Sequence, residues 1–120
     1  MRTIKFKAKR LDNGKWIKGF YWSNLIGNHF IRIAQNNKDE YTIEDFEIDE
    51  NTLCEYIGLK DKYGEEIYEN DEIFFLEEDI GTIKLDKNDA SFVFDCKDVL
   101  YSIENMDLTF SGRVIGNEFD

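Results

Sequence analysis

No stretch of this chain sustains the 3.6-residue apolar period of an amphipathic helix. Short runs instead alternate apolar and polar residues and are cut by glycine and asparagine. That pattern limits the fold to short strands joined by turns. The chain has no proline, so turn geometry falls to residues that tolerate positive φ: Asn13-Gly14, Gly27-Asn28, Gly58, Gly64 and Asn70. A length of 120 residues holds one domain, or two small β-subdomains sharing a core.

Ile4, Phe6 and Ala8 alternate with Thr3, Lys5, Lys7 and Lys9, which predicts a half-buried strand with a lysine face. Asp12-Asn13-Gly14-Lys15 predicts a hairpin turn with positive φ at both Asn13 and Gly14. The next strand, over 15–22, places Trp16, Lys18, Phe20 and Trp22 on one face and Ile17, Gly19 and Tyr21 on the other. Gly27-Asn28 precedes a third strand over 29–34, with Phe30 and Arg32 opposite Ile31 and Ile33. The polar run 35–40 reads as a loop. Residues 43–50 read either as a short helical turn capped by Thr42 or as a strand.

A short strand over 53–57 leads into the glycine-punctuated segment 58–73. Residues 71–77 read as a strand apolar on both faces, Ile73 and Phe75 against Phe74 and Leu76. Strands over 81–85 and 90–96 flank the turn Asp86-Lys87-Asn88-Asp89. Residues 99–106 fit a helix or an extended segment, and 112–119 form a final strand. The expected class is all-β, barrel-like or sandwich-like, with at most one or two short helices.

Ten Phe, six Tyr and two Trp offer ample surface to bury, which argues against disorder. The longest apolar runs, such as Ile73-Phe74-Phe75-Leu76, fall far short of the roughly 20 residues of a membrane-spanning helix. No apolar run follows the basic residues of the N-terminus, so no signal peptide is expected. Cys54 and Cys96 read as two buried thiols, and with the single His29 they are too few for a metal site. The net charge of −11 is uneven. Residues 1–18 hold seven basic residues (Arg2, Lys5, Lys7, Lys9, Arg10, Lys15, Lys18) and one acid, Asp12. Residues 19–120 hold eight basic and 25 acidic residues. The acidic bulk repels nucleic acid, while the basic hairpin offers a local surface for it or for an acidic partner.

The densest turn chemistry is Gly58-Leu59-Lys60-Asp61-Lys62-Tyr63-Gly64-Glu65-Glu66-Ile67-Tyr68-Glu69-Asn70-Asp71-Glu72-Ile73. Gly58 is expected to end a strand. Asp61 is expected to accept hydrogen bonds from the amides of a turn closed by Gly64. Ile67 and Tyr68 point to opposite sides, and Asn70-Asp71 makes a second turn. This segment resembles the "GLKDKNG-KEIYEGD-I" core of YopX-like proteins, encoded mainly by phages and prophages of Gram-positive bacteria. That pattern has Gly where this chain has Asn70, the next best residue for a left-handed position. The likeness extends to the N-terminal hairpin Ile4-Lys5-Phe6-Lys7-Ala8-Lys9-Arg10-Leu11-Asp12-Asn13-Gly14-Lys15-Trp16 and to Val114-Ile115-Gly116-Asn117. The segment 70–96 also resembles an SH3-like barrel. The expected organisation is an N-terminal β-subdomain over 1–57 and an SH3-like subdomain over 58–120, together one YopX-like unit.

The resemblance implies a phage or prophage protein in the cytoplasm of the bacterial host, and it carries no settled biochemical activity. On this reading Gly58, Leu59, Asp61, Gly64, Ile67, Tyr68, Asn70 and Asp71 are scaffold. His29 is a structural histidine rather than a general base. Glu65, Glu66, Glu69, Asp71 and Glu72 are a solvated acidic face rather than a calcium site. No phosphate-binding loop, nucleophile elbow or zinc pattern is present in the sequence. No catalytic, cofactor or metal residue is therefore expected, and no enzyme. The expected partners are proteins: a second copy of the chain, or an unidentified host or phage protein. Homo-oligomer formation follows from the basic hairpin, the acidic remainder and the doubly apolar strand over 71–77. The alternative is a nucleic-acid surface made by Lys5, Lys7, Lys9, Lys15 and Lys18 with Trp16 and Trp22 as stacking platforms. Net charge alone would also allow a decoy for a host DNA-binding protein.

Overall fold

Among residues 4–120, which the computed structural model of the protein describes, the regular elements are eleven strands, two single 3-10 turns and one four-residue helix. The expectations for Arg2 and Thr3 lie outside the described residues. No helix among those described is long and apolar enough to cross a membrane. The chain divides into two compact units, Met1–Glu55 and Tyr56–Asp120.

In the first unit β1 (Phe6–Lys9), β2 (Trp16–Ser23), β3 (His29–Asn37) and β4 (Glu40–Glu47) form an antiparallel meander. The first residues of β5 (Cys54–Lys60) pair with the other side of β1. Paired residues share a face. The pairs Phe6–Gly19, Ala8–Ile17 and Tyr21–Ile31 therefore turn one side of the sheet toward Ile48 and Leu53, which complete its core. Gly19 is fixed by close approach, since a Cβ there would lie 2.4 Å from the Arg32 carbonyl oxygen.

The first hairpin is wider than the expected Asn-Gly turn. Arg10 N donates to the Lys15 carbonyl at 2.9 Å, and only Gly14 has positive φ, at +69°. Asn13 contributes its side chain instead, accepting from Lys15 N at 2.9 Å. The expected loop over 35–40 is mostly strand. Pairing of β3 with β4 continues to Asn37–Glu40, because Tyr41 and Ile43 keep the alternation going opposite Asn36 and Ala34. Thr42 caps no helix. The 3-10 turn lies later, at Glu50–Thr52, where the Asp49 carboxylate accepts from Asn51 N at 3.0 Å.

In the second unit the later part of β5 pairs with β6 (Glu66–Tyr68). A meander follows through β7 (Asp71–Phe75), β8 (Asp79–Asp86), β9 (Ser91–Cys96) and β10 (Val99–Ser102). After a 3-10 turn, Ile103–Asn105, and the one-turn α1 (Leu108–Ser111), β11 (Gly112–Asn117) returns beside β7. The order is β10-β9-β8-β7-β11, and nothing in it conflicts with the SH3-like expectation. Ile67, Ile73, Ile83, Phe94, Cys96, Ile103 and Leu108 form the core.

Gly58 does not end its strand. β5 runs through it at φ +89°, and between the pairs Tyr56–Tyr68 and Lys60–Glu66 it holds two more residues than β6. The resulting bulge accompanies Ile57 and Leu59 packing onto the core. Leu76 leaves the face of β7. It and Glu77 take positive φ, +56° and +54°, in a turn closed by Glu78 N donating to the Phe75 carbonyl at 3.1 Å. Phe74 is half-buried, with the Arg113 guanidinium 5.2 Å from its ring centre. The doubly apolar strand is thus already partly covered by its own chain. Residues 99–106 resolve into strand followed by 3-10 turn.

Candidate functional site

The turn-rich segment 58–73 is held by buried carboxylates. Asp61 is only 3% exposed. Its Oδ1 accepts from Tyr63 N and Glu65 N at 2.9 Å each, and its Oδ2 accepts from Val114 N at 2.9 Å. Gly64, at φ +82°, donates its N–H to the Asp61 carbonyl. Asp71 is fully buried; Oδ2 accepts from Tyr68 N and Oδ1 from Asn117 Nδ2, both at 2.8 Å. Asn70 sits at φ +68°. Its N–H donates to the Ile83 carbonyl, and its own carbonyl accepts from Glu118 N. Tyr68 is buried, and its hydroxyl donates to Glu66 at 2.9 Å. Burial first, then the Glu66 carboxylate, pushes this phenol far above its ordinary value. Ile67 lies in the core and Leu59 packs against it. Both oxygens of Asp61 and of Asp71 are thus engaged by donors of the fold itself. Asn117, read from the sequence only as part of a strand, is the buried partner that completes this framework.

The lysines and tryptophans of the first unit gather elsewhere. The pairs Lys7–Lys18, Lys9–Trp16, Phe20–Arg32, Trp22–Phe30 and Arg32–Asp45 place these side chains on the face of β1–β4 opposite the core. The Lys7 and Lys9 ammonium groups lie 4.7 and 5.6 Å from the Trp16 ring centre. Trp22 stacks on Phe30 at 4.5 Å and donates its indole N–H to Asp45 at 2.9 Å. Arg32 forks onto the same carboxylate, at 2.9 and 3.1 Å. The Arg32 hydrogen bonds, with that from Trp22, hold the Asp45 carboxyl below the usual carboxylate range. The bonds to Asp45 in turn raise Arg32.

Phe20 is 60% exposed on this face, and Tyr41 and Ile43 are exposed beside it. Lys5 precedes β1 with the parity of Lys7. Lys15, paired with Arg10, falls on the opposite side and does not join the cluster. Charge changes sign across the face, from Lys7, Lys9 and Lys18 on β1 and β2, through the Arg32–Asp45 ion pair, to Glu47 on β4. The contribution of β4 was not readable while 35–40 looked like a loop.

His29 lies between two partners, with Tyr21 OH 2.6 Å from Nδ1 and a Glu50 oxygen 2.7 Å from Nε2, its ring stacked on Tyr21. Cys54 and Cys96 are buried and form no disulfide; their thiols donate to the Thr52 and Ile80 carbonyls. Of the acidic residues around the turn-rich segment, Glu66 accepts from Tyr68 and Asp71 is interior. Among the described residues no three or more His, Cys, Asp or Glu side chains are arranged to hold a metal ion.

The chain matches the family model described as YopX protein over residues 5–120. A comparison with curated protein sequences finds no match. The matched span takes in the N-terminal hairpin, the carboxylate-held turns and the closing strand, so the chain belongs to the YopX family.

Proposed function

We propose that this chain is a non-enzymatic accessory protein of a phage or prophage, acting in the bacterial cytoplasm through protein contacts, and that the outer face of β1–β4 is its self-assembly surface. The phage and cytoplasmic parts rest on the family resemblance. The assembly part rests on one observation, the change of sign across an exposed aromatic face. A two-fold contact uses the same patch on both copies, so the patch must complement itself. Here Lys7, Lys9 and Lys18 of one copy meet Glu47 and the Arg32-bound Asp45 of the other, with Phe20 and the Trp22–Phe30 stack between them. Residues 1–55 hold nine basic and nine acidic residues, so the contact carries no net repulsion of its own.

Light scattering is the test. The expected mass is a multiple of 14.2 kDa at micromolar concentration and low salt, falling toward the single chain in Phe20→Glu. A monomer under those conditions removes the reading. An oligomer insensitive to salt keeps assembly and assigns it to apolar contacts.

A second reading is nucleic-acid binding, favoured by the two ammonium groups over Trp16. Salt-dependent retention on single- or double-stranded DNA, abolished by Lys5→Glu, Lys7→Glu and Lys9→Glu together, would establish it. No retention on DNA or RNA at low salt would end it.

A further inference from the structure

The sheet of the second unit ends in β10, whose residues Val99, Leu100, Tyr101 and Ser102 are all exposed. β10 pairs with β9 on one side, and its other edge has no backbone partner among the described residues. Natural edge strands commonly carry a lysine, a proline or a bulge that keeps other chains off. β10 carries none of these and is guarded only by its shortness, four residues. It borders a groove of about 460 Å³ lined by Phe75, Leu76, Phe94, Cys96, Val99 and Tyr101. Two turns stand at that end of the sheet, with Leu76 and Glu77, and Lys97 and Asp98, all at positive φ without a glycine. Paired positive φ is the geometry of type I′ hairpin turns, adopted here without the glycine that usually serves it. Carboxylates outnumber the one lysine of the groove wall, Lys97: Asp79 stands in that wall, Asp95 opposite Leu100, Asp98 before β10 and Glu104 after it. None of the four is ion-paired among the described residues.

We infer that the β10 edge and its groove receive an extended cationic segment of a partner protein, which adds to the sheet as a further strand. Its backbone pairs with the open edge of β10. Alternate apolar side chains enter the groove beside Val99 and Tyr101, and its lysines or arginines meet Asp95, Asp98 and Glu104. Charge selects this occupant over a second copy. A two-fold pairing of β10 with itself, centred between Leu100 and Tyr101, sets Asp98 opposite Ile103 and Glu104 opposite Lys97 of the other copy. That attractive contact is set against bringing together two units with six basic and seventeen acidic residues each. The strip belongs to a different unit from the β1–β4 face, so it stands independently of self-assembly.

The test uses the full chain and a fluorescein-labelled nonapeptide of alternating lysine and valine, followed by anisotropy at low salt. Saturable binding is expected, weakened at least about tenfold when glycine replaces valine, and by a similar factor in the Asp98→Asn, Glu104→Lys double variant. Hydrogen exchange on the unmodified chain should slow at amides 99–102 when the peptide is present, whatever the folding of the variant. Four results overturn the inference: no saturable binding, equal binding of the lysine–glycine peptide, protection confined to β1–β4, or an undiminished affinity in a folded double variant. Protection of 99–102 on concentrating the protein alone would assign the edge to a second copy instead.

Discussion

The first unit buries three apolar residues, Ala8, Ile31 and Ile48, in its core cluster and leaves its opposite sheet face covered with aromatic and charged side chains. The second buries seven around Ile73 and Phe94, and adds the interior carboxylates Asp61 and Asp71 with Asn117. Polar groups are handled differently in each. In the first, the Arg32–Asp45–Trp22 cluster lies on the surface, where solvent shares the load and the net contribution is small. In the second, each carboxylate oxygen replaces water for a specific backbone or side-chain donor. There, removal of the acceptor leaves the donors stranded. Excess negative charge and tight packing coexist in the second unit because its two interior acids are fully hydrogen-bonded and the others lie toward solvent.

The sharpest way to break this contrast is Asp61→Ala. It strips an acceptor from Tyr63 N, Glu65 N and Val114 N together, with an expected loss of about 3 kcal/mol in urea denaturation. A loss below about 1 kcal/mol would mean the carboxylate is not what specifies the turn. Gly64→Val is a milder probe of the same loop. Nothing lies within 4 Å of a Cβ placed there, so the whole cost is that of φ +82°, expected to exceed about 1 kcal/mol. A neutral result in the same denaturation assay would remove the turn assignment.

The smallest effect is expected in the first unit, on lowering the pH. The folded Asp45 carboxyl is depressed chiefly by Arg32. Its contribution is therefore complete above the ordinary carboxylate value and is lost as pH falls through the depressed one. The stability gap between the native chain and Asp45→Asn should be constant near neutrality and close only in acid, with Trp22 fluorescence following it. A gap that closes on raising the pH would reverse the sign and exclude the Arg32 pairing as its cause.

Strand parity was legible in the sequence wherever alternation was clean. β2 and β3 turn their residues to the two faces as the pattern of Ile17, Gly19 and Tyr21 against Trp16, Lys18, Phe20 and Trp22 demands. The left-handed position of Asn70 was legible too, because few other residues tolerate it. Three things were not. The bulge at Gly58 depends on how many residues β6 offers opposite, which composition does not encode. Leu76 and Glu77, like Lys97 and Asp98, form paired positive-φ hairpin turns without the glycine that would announce them. The long pairing of β3 with β4 was masked by polar residues that carry no apolar signal while exposed on both faces. For the candidate sites, the lysines and tryptophans were named from β1 and β2, but the acidic half of their face came from β4. The β10 edge was hidden in a segment that fitted helix and strand equally.

Asp61 is bonded to a residue 53 positions later, and Asp71 to one 46 positions later. A chain made at roughly 5–20 residues per second therefore leaves Asp61 without Val114 for about 3–10 seconds. Until then the anchors of the second unit lack their last donors, and Ile67, Ile73 and, once made, Phe94 have no closing strand. The fifteen acidic residues of 56–111 then act in time as well as in space. Their mutual repulsion keeps nascent neighbours apart until β11 is synthesised and the last hydrogen bonds can form.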